Sequence, residues 1–554
     1  MSLDTDTSKV KMNSLDGAGL KTLAAAGLTW LRTNQQTLND LNVFPVPDGD
    51  TGTNMVLTMQ AALDETTQVE SPGIGKIAHA IAQGALMGAR GNSGVILSQI
   101  WRGFARVLDD RDVMDAATFA EALCEARNTA YKGVVRPVEG TILTVASDIS
   151  IAAEKVLPET VDLIKMLEKI VNAADESVKH TPELLPILKQ AGVVDSGGKG
   201  LFFIFEGMLR HLNKESLGTP IATVQPLSLM NLGDSMESIE PGQDYEVVID
   251  FRPGDHFIIE QYFDTLENMG TSIQVGEGDD IYRMHIHVPT ENRYLPIDYT
   301  MEIGTVTDVH IENLMDQFLN GPDPETPQFD LADISPGDTA VIVVSPGPGI
   351  SRIFASLGVA AIVEGGQSMN PSTEEILKTF EDLPTDKIII LPNNKNILLA
   401  ARATTSISVK NIEVIPATSI PQGLNAALRL MPGADFDTVV ASMNDSLDEV
   451  ETGEITIATR TVEINGVNVQ EGEVIALHNG KLVESTSNLE QACLSMLESA
   501  ETQEKERITL FYGNNITKPE VDGIVNTIQS AYPDHEIEVH EGGQPYYQFI
   551  LSIE

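Results

Sequence analysis

The stretch Asn42–Met55, NVFPVPDGDTGTNM, decides how the rest of the chain is read. Pro45 and Pro47 block helix continuation, while Gly49 and Gly52 permit backbone angles that residues with a Cβ avoid. The segment is therefore a shaped loop. It is filled with short oxygen-bearing side chains: Asp48, Asp50, Thr51, Thr53 and Asn54, with Asn42 just upstream. Hard oxygen ligands at close spacing suit Mg²⁺, which keeps several waters and takes further ligands from nucleotide phosphates. Glycine amides and threonine hydroxyls beside them can cradle those phosphates. An Asx-rich turn capping a helix that starts near Thr53 explains the same residues, and the stretch alone leaves both readings open.

A second stretch of the same character lies downstream. Gly84–Gln99 reads GALMGARGNSGVILSQ, in which Gly88, Gly91 and Gly94 surround Arg90, Asn92 and Ser93 ahead of the apolar run Val95–Ile100. A glycine loop opening a helix offers free amides and the positive end of the helix dipole to an anion. Neither GxxxxGK[ST] nor a GxGxxG placed after a strand occurs here. A glycine-rich contact between packed helices is the alternative.

Around these loops the periodicity is helical. Leu20, Leu23, Ala24, Leu28 and Leu31, then Leu38 and Leu41, recur at helical spacing, and Val56–Leu63 resumes the pattern. Further helices are expected over Ile74–Met87, Gly94–Val107, Ala116–Lys132, Thr141–Val156, Thr160–His180 and Leu201–Leu212, which makes residues 10–212 an all-α bundle. Two more glycine-bearing loops interrupt it: RPVEGTILT, carrying Gly140 and Thr141, and AGVVDSGGKG, carrying Asp195. Clustered at one end of a bundle, such loops form a rim of amides suited to a nucleotide. From the residues alone Asp195 reads first as an N-cap or Asx-turn.

After a proline-bearing linker, Thr219–Gly242, the period changes to two. Strands are expected at Tyr245–Phe251, Thr271–Val275, Tyr282–Val288 and Ile303–Ile311, with a helix at Ile258–Met269, so residues 240–320 read as a small α+β unit. In YRMHIHV, His285 and His287 stand at i and i+2 and emerge on one face, where two imidazoles can ligate a metal or bind a phosphate. Solvent-facing polar strand residues are the plainer reading. A second linker, Asn320–Gly337, precedes residues 336–554, where Thr339–Val344, Lys387–Leu391 and Ile412–Ile415 alternate with helical stretches such as Thr373–Leu383. The alternation continues through Ile508–Tyr512, Pro519–Tyr532, Glu536–His540 and Tyr547–Ser552, predicting an α/β domain with a parallel sheet. Loops after its strands, including Gly365–Ser372 and Pro392–Asn396, lie where open α/β sheets host ligands.

At 554 residues the chain is too long for one core, and three or four domains are expected. Its formal charge of −46, from 81 acidic and 35 basic side chains, opposes extended contact with nucleic acid or an anionic membrane. Two distant cysteines, Cys124 and Cys493, imply no disulfide framework and no CxxC site. The polar N-terminus has no apolar signal region, and no run approaches the ~18–20 apolar residues of a membrane span. A cytoplasmic protein is expected.

The two glycine-bearing loops, in this order and at this separation, resemble the DhaL-type nucleotide-binding domain of the dihydroxyacetone kinase superfamily. NVFPVPDGDTGTNM followed by GARGNSGVILSQ is similar to the ATP-binding subunits of bacterial fatty acid kinases, and the resemblance runs through nearly the whole chain. It implies ATP and Mg²⁺ as ligands, with Asp48 and Asp50 on the metal and Asn42 standing where related kinases place a third carboxylate. Gly52, Thr53 and Asn54, then Gly91, Asn92, Ser93 and Gly94, then Gly140 and Thr141 are implied at the phosphates, and Asp195 at the nucleotide lid. The middle unit resembles one whose HxH strand is implicated in activity, so His285 and His287 are implied as catalytic. That family pairs the histidines with a Cys on a neighbouring strand. Glu246 stands in its place here, which leaves a zinc site in question. The C-terminal domain resembles DegV-type fatty-acid-binding proteins, and a homodimer that docks a separate lipid-carrying partner of that type is implied.

Three functions are thereby in view. The first is a kinase subunit that passes the γ-phosphoryl of ATP to a fatty acid carboxylate held by a separate protein, giving an acyl phosphate. A carboxylate is already deprotonated at neutral pH, so the absence of an obvious general base fits. The second is a kinase for dihydroxyacetone or another small polyol, although no segment resembles a ketone-binding domain. The third is a nucleotide-regulated, lipid-sensing binding protein.

Overall fold

The structure, a computed structural model, describes residues 11–41, 49–69, 73–217, 224–226, 245–254, 257–266, 268–278, 281–313, 329–367, 369–464 and 466–554. The chain forms two compact units, Met1–Leu217 together with Phe329–Glu554, and Gly218–Gln328.

The first part of the larger unit is helical. Its helices are α1 (Gly17–Thr33), α2 (Gln35–Asn39), α3 (Thr51–Glu65), α4 (Ile74–Met87), α5 (Gly91–Val107), α6 (Ala116–Lys132), α7 (Ile142–Val156), α8 (Leu163–Leu184), α9 (Pro186–Ala191) and α10 (Ser196–Leu212). The leucines that recur in the sequence, Leu20, Leu23, Leu28 and Leu31, are all buried in one core with Met55, Trp101 and Phe203. Within the described residues the only strands of this part are a three-residue antiparallel pair, β1 (Ser14–Asp16) and β2 (Val113–Asp115), so the helical expectation holds.

Glycines set how closely α3 meets its neighbours. A Cβ on Gly84 would lie 2.3 Å from the Ala61 carbonyl oxygen, one on Gly88 2.3 Å from the Ala61 side chain, and one on Gly94 2.4 Å from Thr58 Oγ1. Gly91 adopts φ +57° and abuts the Asn54 amide, where a side chain would be doubly excluded. The helix-packing reading of the second glycine stretch is therefore correct. That packing also brings the start of α5 beside the start of α3.

The smaller unit is a five-stranded sheet of order β3-β5-β6-β4-β7, with strands β3 (Val224–Pro226), β4 (Tyr245–Pro253), β5 (Thr271–Gly278), β6 (Ile281–Val288) and β7 (Gly304–Asn313). Helices α11 (Ile259–Leu266) and α12 (Leu295–Ile303) accompany it, the second unanticipated from sequence. Alternation along β4 and β6 puts Val247, Ile249, Met284, Ile286 and Val288 into the unit's apolar core.

The C-terminal part of the larger unit carries two sheets. Strands β8 (Thr339–Ser345), β9 (Ala361–Glu364), β10 (Lys387–Leu391) and β11 (Asn411–Val414) form an all-parallel sheet of order β11-β10-β8-β9, as the alternation with helices predicts. The later half departs from that expectation. After β12 (Glu451–Ile457) come a small hairpin of β13 (Val462–Ile464) and β14 (Val467–Val469), then β15 (Val474–His478), β16 (Lys481–Thr486), β17 (Arg507–Tyr512), β18 (Glu536–Glu541) and β19 (Tyr547–Ile553). Its six-stranded sheet, β16-β15-β12-β19-β17-β18, is largely antiparallel, and only β17–β18 is parallel. An Asn479-Gly480 turn, both residues at positive φ, makes the β15–β16 hairpin.

The two parts of the larger unit share a core. Ala89 and Val95 from the helical part pack with Ile342, Ile376, Phe380 and Ile390 of the parallel-sheet layer. Arg90 crosses the same seam: its Nη2 lies 2.8 Å from Glu375 Oε1, and its Nη1 donates to the Asn370 carbonyl at 3.1 Å. The Thr373 amide donates to the Ala89 carbonyl at 3.2 Å.

Candidate functional site

Four helices of the bundle begin at one place. Thr51 and Asn54 of α3, Gly91, Asn92 and Ser93 of α5, Thr141 and Ile142 at the head of α7, and Asp195, Ser196 and Gly197 at the head of α10 all line one open cleft. The head of α5 has no side-chain cap, and all four heads bring the positive end of a helix dipole to the cleft, so the site favours an anion with several oxygens. Ser196 Oγ donates to Thr51 Oγ1 at 3.2 Å, tying α10 to α3.

The opposite wall comes from the C-terminal part. Lys395, on the loop after β10, and Leu398, Leu399 and Arg402 of the helix Leu398–Thr404 line the same cleft, and Arg136 adds a further cation from the helical part. Among the described residues, three cations thus line the cleft with two carboxylates, Asp50 and Asp195, in a chain whose acids outnumber its bases by 81 to 35. The local reversal of charge is what a polyphosphate needs.

Asp50 is buried at the N-cap of α3 and makes no capping bond there. One of its oxygens accepts from the Asn370 side-chain amide of the C-terminal part. Asn42 and Asp48, the other expected metal ligands, lie outside the described residues.

Gly52 and Thr53 are placed differently from the phosphate contacts expected of them. The Gly52 amide donates to Asn39 Oδ1 at 2.8 Å, and a Cβ there would fall 2.4 Å from the Gln35 carbonyl oxygen. Thr53 is buried, its hydroxyl accepting from Gln35 Nε2 at 2.9 Å and from Asn39 Nδ2 at 3.3 Å. Both residues fasten α3 to α2 and do not line the cleft. Gly94 is taken up by helix packing, and Gly140, at φ +81°, turns the chain tightly against Thr181 and Leu185. Asn54, Gly91, Asn92, Ser93 and Thr141 do reach the cleft.

Asp195 is the N-cap that the sequence suggests, its Oδ2 accepting from the Gly198 amide at 2.6 Å, and it also lines the cleft. Loss of solvent pushes its carboxyl up to about 6, against the pull of the Gly198 and Ile142 amides.

The middle unit holds a second polar centre. Glu246 on β4 pairs in register with His287 on β6, two residues from His285, so all three side chains share the sheet face opposite the apolar core. They are 7%, 0% and 1% exposed for Glu246, His285 and His287, which excludes the solvent-facing reading. Glu246 Oε1 lies 2.8 Å from His285 Nε2, the two imidazoles are edge to face at 4.8 Å, and the ligand atoms of all three fall within 4.8 Å of one another. Among the described residues, neither ring nitrogen of His287 has a hydrogen-bond partner. Desolvation first, then the neighbouring His285, depresses its pKa and keeps it neutral, the form that ligates metals. Two imidazoles and one carboxylate are a donor set for a divalent transition ion such as zinc.

Comparison with known proteins agrees with this architecture. The family profile described as "DAK2 domain" matches residues 45–210, and the middle-domain and C-terminal profiles of the FakA-like fatty acid kinase family match residues 240–320 and 340–554. A protein of Staphylococcus aureus (strain USA300), described as uncharacterized, is 36% identical over 552 residues, which span 98% of this chain and 100% of that one. Among solved structures, the chain is similar to the dihydroxyacetone kinase from C. freundii in complex with AMP-PNP and Mg²⁺ (17% identity, TM-score 0.28, 38% of this chain and 37% of that one). It is also similar to a DegV family protein from Corynebacterium glutamicum (16% identity, TM-score 0.29, 39% of this chain and 95% of that one). A DAK2 domain followed by these two modules defines a phosphotransferase of the kinase class. The chain belongs to the FakA-like fatty acid kinase family. Among the described residues no helix is long and apolar enough to cross a membrane.

Proposed function

We propose that the chain binds ATP with Mg²⁺ in the cleft at the heads of α3, α5, α7 and α10 and transfers the γ-phosphoryl to the carboxylate of a fatty acid presented by a separate DegV-type fatty-acid-binding protein. A carboxylate oxygen attacks the γ-phosphorus, the bond to the β–γ bridging oxygen breaks, and ADP and an acyl phosphate leave. The observation that carries the reading is the meeting of four helix heads with Arg136, Lys395 and Arg402 around Asp50. Phosphoryl transfer asks mainly for positioning and for neutralisation of phosphate charge. Helix-head amides and the three cations supply both.

Asp50, with Asn42 and Asp48, would hold the Mg²⁺, which when bound neutralises charge between the β- and γ-phosphates. Asn54, Gly91, Asn92, Ser93 and Thr141 orient the phosphates, and Asp195 holds the heads of α10 and α7 in place beside them. Because His285 and His287 are buried, they suit a role as metal ligands with Glu246 better than direct contact with the transferred phosphate.

The test is ATP consumption by the purified chain with Mg²⁺ and oleate or palmitate, with and without a DegV-type fatty-acid-binding protein, and with dihydroxyacetone as a parallel acceptor. Turnover requiring both fatty acid and partner is expected. Turnover with dihydroxyacetone alone would overturn the fatty acid assignment, and nucleotide binding without turnover in any mixture would favour a regulatory role.

A further inference from the structure

The seam between the helical part and the C-terminal part places one buried residue against Asp50, a carboxylate that lines the cleft. Asn370 follows β9 on the loop that leads into the helix Thr373–Glu381, and it is 3% exposed. Its Nδ2 donates to Asp50 Oδ2, while its main-chain carbonyl is held by Arg90. A Cβ built on Gly91 would lie 2.5 Å from Asn54 Nδ2 and 3.7 Å from Asn370 Nδ2, so both amides press against the same glycine. Asn370 thus stands between Asp50 and the glycine loop, although it belongs to neither. Among the described residues its buried Oδ1 has no hydrogen-bond partner.

A buried amide oxygen left unpaired is destabilising, so an apolar side chain of the same shape would serve packing better. Its other end grips a carboxylate assigned to a cation, as outer-sphere groups do when they fix a ligand's orientation. We infer that Asn370 is a positioning residue of the phosphoryl-transfer site: it sets the direction of the Asp50 carboxylate toward the divalent cation and offers its own Oδ1 to a water or hydroxyl group of the cation–nucleotide complex. This rests on the reading of the cleft as a cation–nucleotide site. It makes the C-terminal part a component of that site as well as a partner-docking module.

The test is calorimetric titration of the full chain with AMP-PNP across a series of Mg²⁺ concentrations, for the natural protein, Asn370→Leu and Glu375→Gln. The second variant loosens the same seam through the Arg90 ion pair without touching Asp50. Asn370→Leu is expected to raise the half-saturating Mg²⁺ about 10–100-fold, the range for removal of an outer-sphere partner, while Glu375→Gln leaves it unchanged. An unchanged or lowered Mg²⁺ requirement in Asn370→Leu overturns the inference. Equal shifts in both variants overturn it too, since they report only a looser seam. If the natural chain binds AMP-PNP with no dependence on Mg²⁺, the reading of the cleft falls and this inference falls with it.

Discussion

The cleft at the helix heads and the Glu246–His285–His287 centre handle polar groups in opposite ways. The cleft is open, its walls come from sequence positions more than 300 residues apart, and hydrogen bonds hold Thr51, Ser196 and Asp195 in place. The histidine centre is closed, comes from two adjacent strands, and keeps both ring nitrogens of His287 out of water without a partner among the described residues. An open site with its own scaffold suits a ligand that enters and leaves at each turnover. A closed one with unsatisfied ring nitrogens suits a resident ion that stays with the fold, because burying such atoms bare is costly.

The largest expected effect separates the two directly. Asp50→Ala should lower ATP turnover by at least about 100-fold, while circular dichroism and the metal content of the middle unit stay unchanged. Loss of metal from the middle unit in that variant would break the distinction. Conversely, His287→Ala should abolish a roughly stoichiometric transition metal measured by mass spectrometry on the natural chain, with nucleotide binding in the cleft retained. A metal-free natural chain, prepared without chelators, would reduce the centre to a buried polar cluster.

Smaller effects sharpen the picture within the cleft. Removal of either cation, Lys395→Ala or Arg402→Ala, should weaken nucleotide binding about 10-fold at low salt and less at high salt, since partly exposed charges are screened. Salt-independent losses would point to packing instead. The smallest effect belongs to Asp195, whose carboxyl is raised from the ordinary 3.8 to about 6 in the folded chain. The folded state then holds a proton that the unfolded state has already lost between those two values, so stability falls as pH rises through that window and the penalty is complete above it. Asp195→Asn keeps a good N-cap and should raise Tm by a few degrees at pH 8, with no gain below about pH 4. An equal gain at both pH values would show that ionisation of Asp195 is not the source.

Much of the helical part was legible because its signals are local. Leucine spacing marks α1, and glycine and proline mark the loops, with boundaries displaced by only a few residues. Gly52 and Thr53 were legible as special but not for the right reason, since their partners Gln35 and Asn39 sit in an undistinguished stretch of helix. The antiparallel strands over 451–486 were missed although the Asn479-Gly480 pair, flanked by apolar runs, is a strong hairpin signal. Lys395 and Asn370 lie in loops that follow parallel strands, the position where open α/β sheets host ligands. Nothing local reveals that the cleft Lys395 lines, and the Asp50 that Asn370 holds, come from the other end of the chain. Glu246 was reached only through the family resemblance, and its pairing with His287 shows once the register of β4 on β6 is known.

The shared core has a consequence for how the protein is made. Ala89, on the loop between α4 and α5, and Val95 of α5 have apolar neighbours that include Phe380 and Ile390. On a ribosome adding about 5–20 residues per second, those neighbours emerge roughly 15–60 s later. For that interval the nascent helical part carries a bare apolar patch beside its glycine loop, a natural point of attachment for a chaperone. Truncation before residue 340 should therefore leave a chain that is poorly soluble even though every helix of its bundle is present.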